Sequence, residues 1–109
     1  MQVQLTTTGR HSGAARTVTL YAFETPDGAL VITGSWGGMA RDPAWAHNLR
    51  ADPTATIRVG RDERSVRARE VSGTERETLW AVVTGAFPLY ETYQRRTHRL
   101  IPLFVLEER

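Results

Sequence analysis

The connections between apolar runs limit this chain more than any other feature. Val3 to Thr8 alternates weakly and stops at Gly9. Arg16 to Glu24 is rich in Val, Thr, Tyr and Phe and is followed, after Pro26-Asp27-Gly28, by Ala29 to Thr33. Further on, Thr54 to Val59 and Ser65 to Val71 flank a turn at Gly60 to Arg64, and Ile101 to Leu106 forms a last apolar run. β-branched and aromatic residues fit a pleated, half-buried surface, so each run reads as a strand. The turns at Gly9, at Pro26-Asp27-Gly28 and at Gly60 to Arg64 are too short to cross over to a parallel neighbour, so the runs they join pair as antiparallel hairpins.

Helical segments interrupt the strands in two places. Asp42 is placed to cap a short helix with Pro43 at its first position, ending near Ala51 before Asp52 and Pro53. Ser72 to Thr74 offers a second cap, ahead of a helical pattern from Glu75 to Thr84 with Leu79, Trp80, Val82 and Val83. Gly85 interrupts it, and Phe87 to Thr97 reads as another helix. Antiparallel hairpins with inserted helices give a mainly β fold, a small barrel or an α+β sandwich, rather than a parallel doubly wound sheet. The 109 residues fit one domain, 1–109.

Composition removes several kinds of chemistry. With no cysteine, disulfides, thiolate nucleophiles and cysteine metal sites are excluded. His11, His47 and His98 are scattered in no ligand spacing, so no metal site is expected. There is no G-x-S-x-G elbow for a hydrolase. No apolar run reaches the ~18 residues of a membrane span, and residues 1–8 carry no secretory pattern. The expectation is a cytoplasmic protein without stable membrane association. The pI of 9.7 arises because every basic residue is Arg. Arg stays charged far above neutrality, while the net charge at pH 7 is only +2. Although Arg67 and Arg69 make one strand basic, no aromatic platform accompanies them, and no nucleic-acid partner is expected.

Three segments carry groups suited to a ligand. Thr6 to Gly13, with Arg16 just beyond, sets Arg10, His11 and Ser12 beside two glycines, a cradle for phosphate or carboxylate. It is neither a Walker A loop nor a Rossmann fingerprint, and spacing alone does not separate the cradle from an ordinary polar hairpin. Gly34-Ser35-Trp36-Gly37-Gly38, followed by Trp45, would let a flat ring approach the backbone between aromatic walls. Either tryptophan taken alone is better explained by core packing. Phe87, Tyr90 and Tyr93 recur every three residues on one helical face, either lining a pocket or packing as a stripe.

Taken in order, LTTTGRHSGAAR, LY, GSWGG, DPAWAHNLRADP, FPLYETYQ and R-x-IPL-x-V-x-E resemble the deazaflavin-dependent nitroreductases, from Leu5 to Glu107. The resemblance implies an antiparallel split β-barrel of the FMN-binding type. It also implies coenzyme F-420, an 8-hydroxy-5-deazaflavin with a phosphate and an oligoglutamate tail, as cofactor, FMN or FAD being the alternative. The reaction implied is hydride transfer to a small-molecule acceptor: an activated alkene, a quinone or a nitro compound. A cofactor or apolar-ligand carrier is the non-enzymatic alternative.

The same resemblance assigns residues. Arg10, His11, Ser12 and Arg16 fall at the phosphate and tail site. Thr33, Gly34, Ser35, Trp36 and Gly37 fall along the ring, and Ala44, Trp45 and Asn48 on the flanking helix. Tyr90 and Ser35 are the candidate catalytic residues, with Phe87 and Tyr93 beside Tyr90 in the substrate pocket. His11 and Trp36 stand where relatives carry Lys, and Phe87 replaces a tyrosine. One charge thereby becomes pH-dependent, and the ring site becomes more apolar. The oligomeric state is left between monomer and homodimer, an exposed sheet edge being the feature a second subunit would cover.

Overall fold

The computed structural model describes residues 1–109. Six antiparallel strands close a barrel: β1 (Gln2–Thr8), β2 (Ala15–Glu24), β3 (Leu30–Thr33), β4 (Thr54–Val59), β5 (Asp62–Glu70) and β6 (Leu103–Glu108). Around the barrel the order is β1-β2-β3-β6-β5-β4. Between β3 and β4 lie a single 3-10 turn at Trp36–Gly38 and helix α1 (Ala44–Ala51). Helices α2 (Gly73–Ala86) and α3 (Leu89–Arg95) separate β5 from β6. Because the sheet closes on itself, the free edge expected as a dimer contact does not exist.

Two apolar clusters follow from the alternation of side chains along each strand. Val3, Leu5, Ala22, Ile32, Ile57, Val66, Phe104 and Leu106 fill the barrel, and α1 adds Trp45, Ala46 and Leu49. Trp45 meets Phe104 edge-on, with ring centroids 5.7 Å apart. Val31, Leu103 and Val105 point the other way and are covered by Leu79 and Val83 of α2 and Tyr90 of α3. With both faces covered, β3 is buried at every residue, which explains its apolar run Leu30-Val31-Ile32.

β2 is different. Val18 and Leu20 pair with Leu5 and Val3 in the antiparallel register and so lie on the same face of the sheet. Leu5 and Val3 are fully buried, whereas Val18 and Leu20 are only partly so. An apolar strip of β2 is thus left open beside a packed core.

Several boundaries differ from the sequence reading. Asp42 is not the cap of α1. Pro43 occupies that position without a side-chain bond, and the Asp42 carboxylate is taken up by Arg50 and Arg99. Strand β5 starts at Asp62, since Gly60 and Arg61 suffice for the turn. Helix α2 runs through Gly85, where a side chain would meet only open space. Ser72 sits at its cap position, but its hydroxyl makes no capping bond. α3 is shorter than Phe87 to Thr97. β6 begins after Pro102, which has no N–H to give to a ladder.

Candidate functional site

A groove runs along the open strip of β2 and has two halves. The first, about 320 Å³, is lined by Gly9, Arg10, His11, Ser12, Arg16 and Val18, with Ala44, Trp45 and Asn48 of α1. The second, about 370 Å³, is lined by Val18, Thr19, Leu20 and Tyr21 of β2, together with Thr33, Ser35, Trp36, Pro43, Trp45 and Tyr90. Val18 and Trp45 belong to both, so the halves are continuous.

The first half is built on the β1–β2 turn. Strand pairing ends at Thr8 opposite Ala15, leaving six residues to reverse the chain. The Gly9 N–H donates to Ala14 O (2.8 Å), the Gly13 N–H donates to Gly9 O (2.8 Å), and the Ser12 hydroxyl accepts from the Ala14 N–H (3.1 Å). Asn48 then fixes the turn to α1. Its Oδ1 accepts the Arg10 N–H (3.0 Å), and its Nδ2 donates to the buried Thr7 hydroxyl (3.1 Å). The molecule's ion pairs engage Arg50, Arg64, Arg69 and Arg99, leaving Arg10 and Arg16 without a carboxylate partner. Two guanidinium groups beside a bonded turn, with no internal counter-charge, are chemically suited to an anion.

The second half is built on the loop after β3. Gly34 packs against Pro102 so closely that a Cβ would lie 2.7 Å from its ring, which is why no larger residue fits. Ser35 has an ordinary right-handed conformation, but Trp36 follows with φ +42° and Gly37 with φ +61°. A positive φ in a tryptophan is unusual enough to point to function. This succession of hands draws neighbouring N–H groups toward one side. Neither the Ser35 hydroxyl nor the Ser35 and Trp36 N–H groups are bonded inside the protein. The indole of Trp36 is 54% exposed over the groove.

Tyr90 closes this half from α3. Its ring packs edge-on to Phe23 (5.9 Å) and Phe87 (4.7 Å) and lies 6.2 Å from Tyr93. Burial pushes the Tyr90 phenol up, with a smaller opposing effect from the Thr33 hydroxyl beside it. The phenol therefore stays protonated at neutral pH and is available as a donor. Phe87 and Tyr93 do not line the groove; they brace Tyr90.

The structure thus gathers Arg10, His11, Ser12, Arg16, Ala44, Trp45 and Asn48 in one half, and Thr33, Ser35, Trp36 and Tyr90 in the other. Gly34 and Gly37 shape the loop without lining the groove. The sequence reading missed the floor, Val18 to Tyr21, although the LY pair marked it, and it missed Pro43. This donor set fits a phosphorylated deazaflavin. Unpaired cations suit its phosphate and acidic tail, and an open apolar strip suits its planar ring.

Comparison with known proteins gives the family and the fold. Residues 1–108 match the family model described as F420H(2)-dependent quinone reductase. A Mycobacterium tuberculosis protein named F420H(2)-dependent quinone reductase is 38% identical over 108 residues, covering 96% of this chain and 72% of the relative. A solved structure of an F420-H2 dependent reductase superposes with a TM-score of 0.86 at 39% identity, covering 97% of this chain and 93% of the other. A second, described as a domain-swapped dimer, gives 0.87 at 39% identity, with coverage of 97% and 79%. The chain belongs to the F420H(2)-dependent quinone reductase family.

Proposed function

We propose that this chain uses reduced coenzyme F-420 to reduce a quinone-like acceptor in the groove over β2. The F-420-dependent reductase class follows from family membership. The placement of the acceptor and the residue roles rest on the groove. The observation that carries the reading is its two-part chemistry. One half presents unpaired Arg10 and Arg16, and the other an apolar floor ending at the Tyr90 phenol.

When bound, the reduced deazaflavin supplies a hydride. Arg10, Arg16, His11 and Ser12 would hold its phosphate and tail. Thr33, Ser35 and Trp36 would border its ring along Val18 and Leu20. Trp45 keeps the boundary between the halves rigid, because it is also part of the barrel core. Tyr90 donates a hydrogen bond to the acceptor oxygen and delivers the proton that accompanies reduction. The apolar strip favours flat, weakly polar rings at the reacting face. No helix is long and apolar enough to cross a membrane, and we place the reaction in the cytoplasm.

The test is a fluorescence titration of the purified protein with coenzyme F-420, with FMN in parallel. Oxidation of reduced F-420 is then followed over a panel of quinones, activated alkenes and nitro compounds. Saturable F-420 binding and turnover fastest with quinones support the proposal. Binding of FMN alone would reject the cofactor, and tight F-420 binding without turnover on any acceptor would make the protein a carrier.

A further inference from the structure

The loop that borders the proposed ring site is held from behind by one side chain. Arg99, only 13% exposed, lies between α3 and β6 and spends its whole guanidinium on residues 34–42. Nε donates to Met39 O (2.8 Å), Nη1 to Gly34 O (3.0 Å) and to Asp42 Oδ1 (2.8 Å), and Nη2 to Ser35 O (2.8 Å). The loop's own backbone bonds are few: Gly34 N–H to Pro102 O, Gly38 N–H to Ser35 O and Met39 N–H to Trp36 O.

The direction of those bonds matters. In a planar trans peptide the N–H points opposite to the C=O. With the Gly34 and Ser35 carbonyls turned onto Arg99, the Ser35 and Trp36 N–H groups must face away from it. Ser35 and Trp36 line the groove on that other side. The backbone of Trp36, at φ +42°, would relax if the carbonyls before it were free to turn.

Arg99 is itself fixed at both ends. Gln94 of α3 donates from Nε2 to Arg99 O (2.7 Å) and accepts the Ile101 N–H at Oε1 (2.9 Å). Asp42 is shared with Arg50, which in turn pairs with Glu70 of β5. The same α3 carries Tyr90.

We propose that Arg99 is a positioning residue for the reductase. It sets the direction of the Ser35–Trp36 backbone toward the cofactor ring and ties that loop to the helix bearing Tyr90. Lys cannot replace it, because a point charge cannot reach three carbonyls and a carboxylate in a fixed planar array. The proposal rests on the groove being the F-420 site.

The experiment compares F-420 affinity, read by fluorescence, for the parent protein, Arg99→Ala and Arg99→Lys, each with and without low-millimolar guanidinium chloride. Thermal unfolding is the control for folding. The expected result is a loss of affinity of about tenfold or more in both variants. In Arg99→Ala, guanidinium restores most of it and methylammonium does not. A parent that binds while a folded Arg99→Ala binds within twofold of it would overturn the Arg99 role alone. So would a loss that guanidinium leaves untouched. A parent that fails to bind F-420 would overturn the functional reading and this role together. If Arg99→Ala does not fold, Arg99→Gln, which keeps two donors, is read against the same criteria.

Discussion

At the residue scale the site depends on single groups whose surroundings set their chemistry. Tyr90 is the clearest. Its ring is packed on three sides while its phenol reaches the groove. Replacing it by Phe removes the donor and keeps the packing. Tyr90→Phe is expected to lower turnover by ~10²-fold with cofactor affinity nearly intact; an affinity loss at unchanged kcat would reject the donor role. The pH dependence has a definite sign. Burial raises the phenol's pKa in the folded protein, so the folded state binds more protons than the unfolded one near the ordinary tyrosine value. The stability Tyr90 contributes is complete below that value, ~10, and is lost as pH rises through the higher folded one. An alkaline fall in stability should therefore be shallower in Tyr90→Phe, as thermal unfolding at several alkaline pH values would reveal.

His11 gives a second residue-scale prediction. It lines the anion half beside two arginines, where a fixed positive charge would add to the attraction for phosphate. His11→Lys should strengthen F-420 binding. A fluorescence titration checks this, and an unchanged affinity would place His11 outside the anion contact.

At the element scale, the groove exists because each of its borders is bolted to a neighbouring element. The β1–β2 turn is joined to α1 through Asn48, which is nearly fully buried and satisfies both the Arg10 N–H and the Thr7 hydroxyl. Asn48→Leu would strand those two polar groups. The expected cost is ~1–3 kcal/mol, a large share of the ~5–15 kcal/mol typical of a domain. F-420 affinity should fall with it, because the turn carrying Arg10 loses its anchor. Denaturant melts and the same titration measure both effects; a stability loss without an affinity loss would uncouple the turn from binding. Element contacts also explain Gly38. A Cβ there would lie 2.7 Å from the Tyr93 carbonyl, at φ +81°, so α3 can approach the loop only over glycine.

At the scale of the whole molecule, charge placement matters more than net charge. The net value is only +2, but the ion pairs sit on Arg50, Arg64, Arg69 and Arg99 and leave the groove's arginines free. Arg69, which makes β5 look basic in the sequence, is neutralised by Glu75 and Glu107. Association with an anionic cofactor should therefore weaken as salt is raised. The double substitution Arg10→Gln and Arg16→Gln should flatten that dependence. An unchanged salt slope would show that the tail is held elsewhere.

The sequence by itself determined the strands, the antiparallel joining of those linked by short turns and much of the anion half of the groove. Each of these is a local property: a period of two along a strand, a turn too short to cross over, a cluster of Arg, His and Ser between two glycines. It also carried the ordered motifs that mark the family from Leu5 to Glu107. Only the tertiary structure decided which strip was left uncovered. Val18 and Leu20 have the same alternation as Val3 and Leu5, and their exposure depends on what packs over β2. Nor could the sequence assign Asp42. A helix cap is a contact within a few residues, whereas of its two observed partners Arg50 is eight residues away and Arg99 57. A carboxylate beside a helix start satisfies either reading until the chain closes and brings that guanidinium to it.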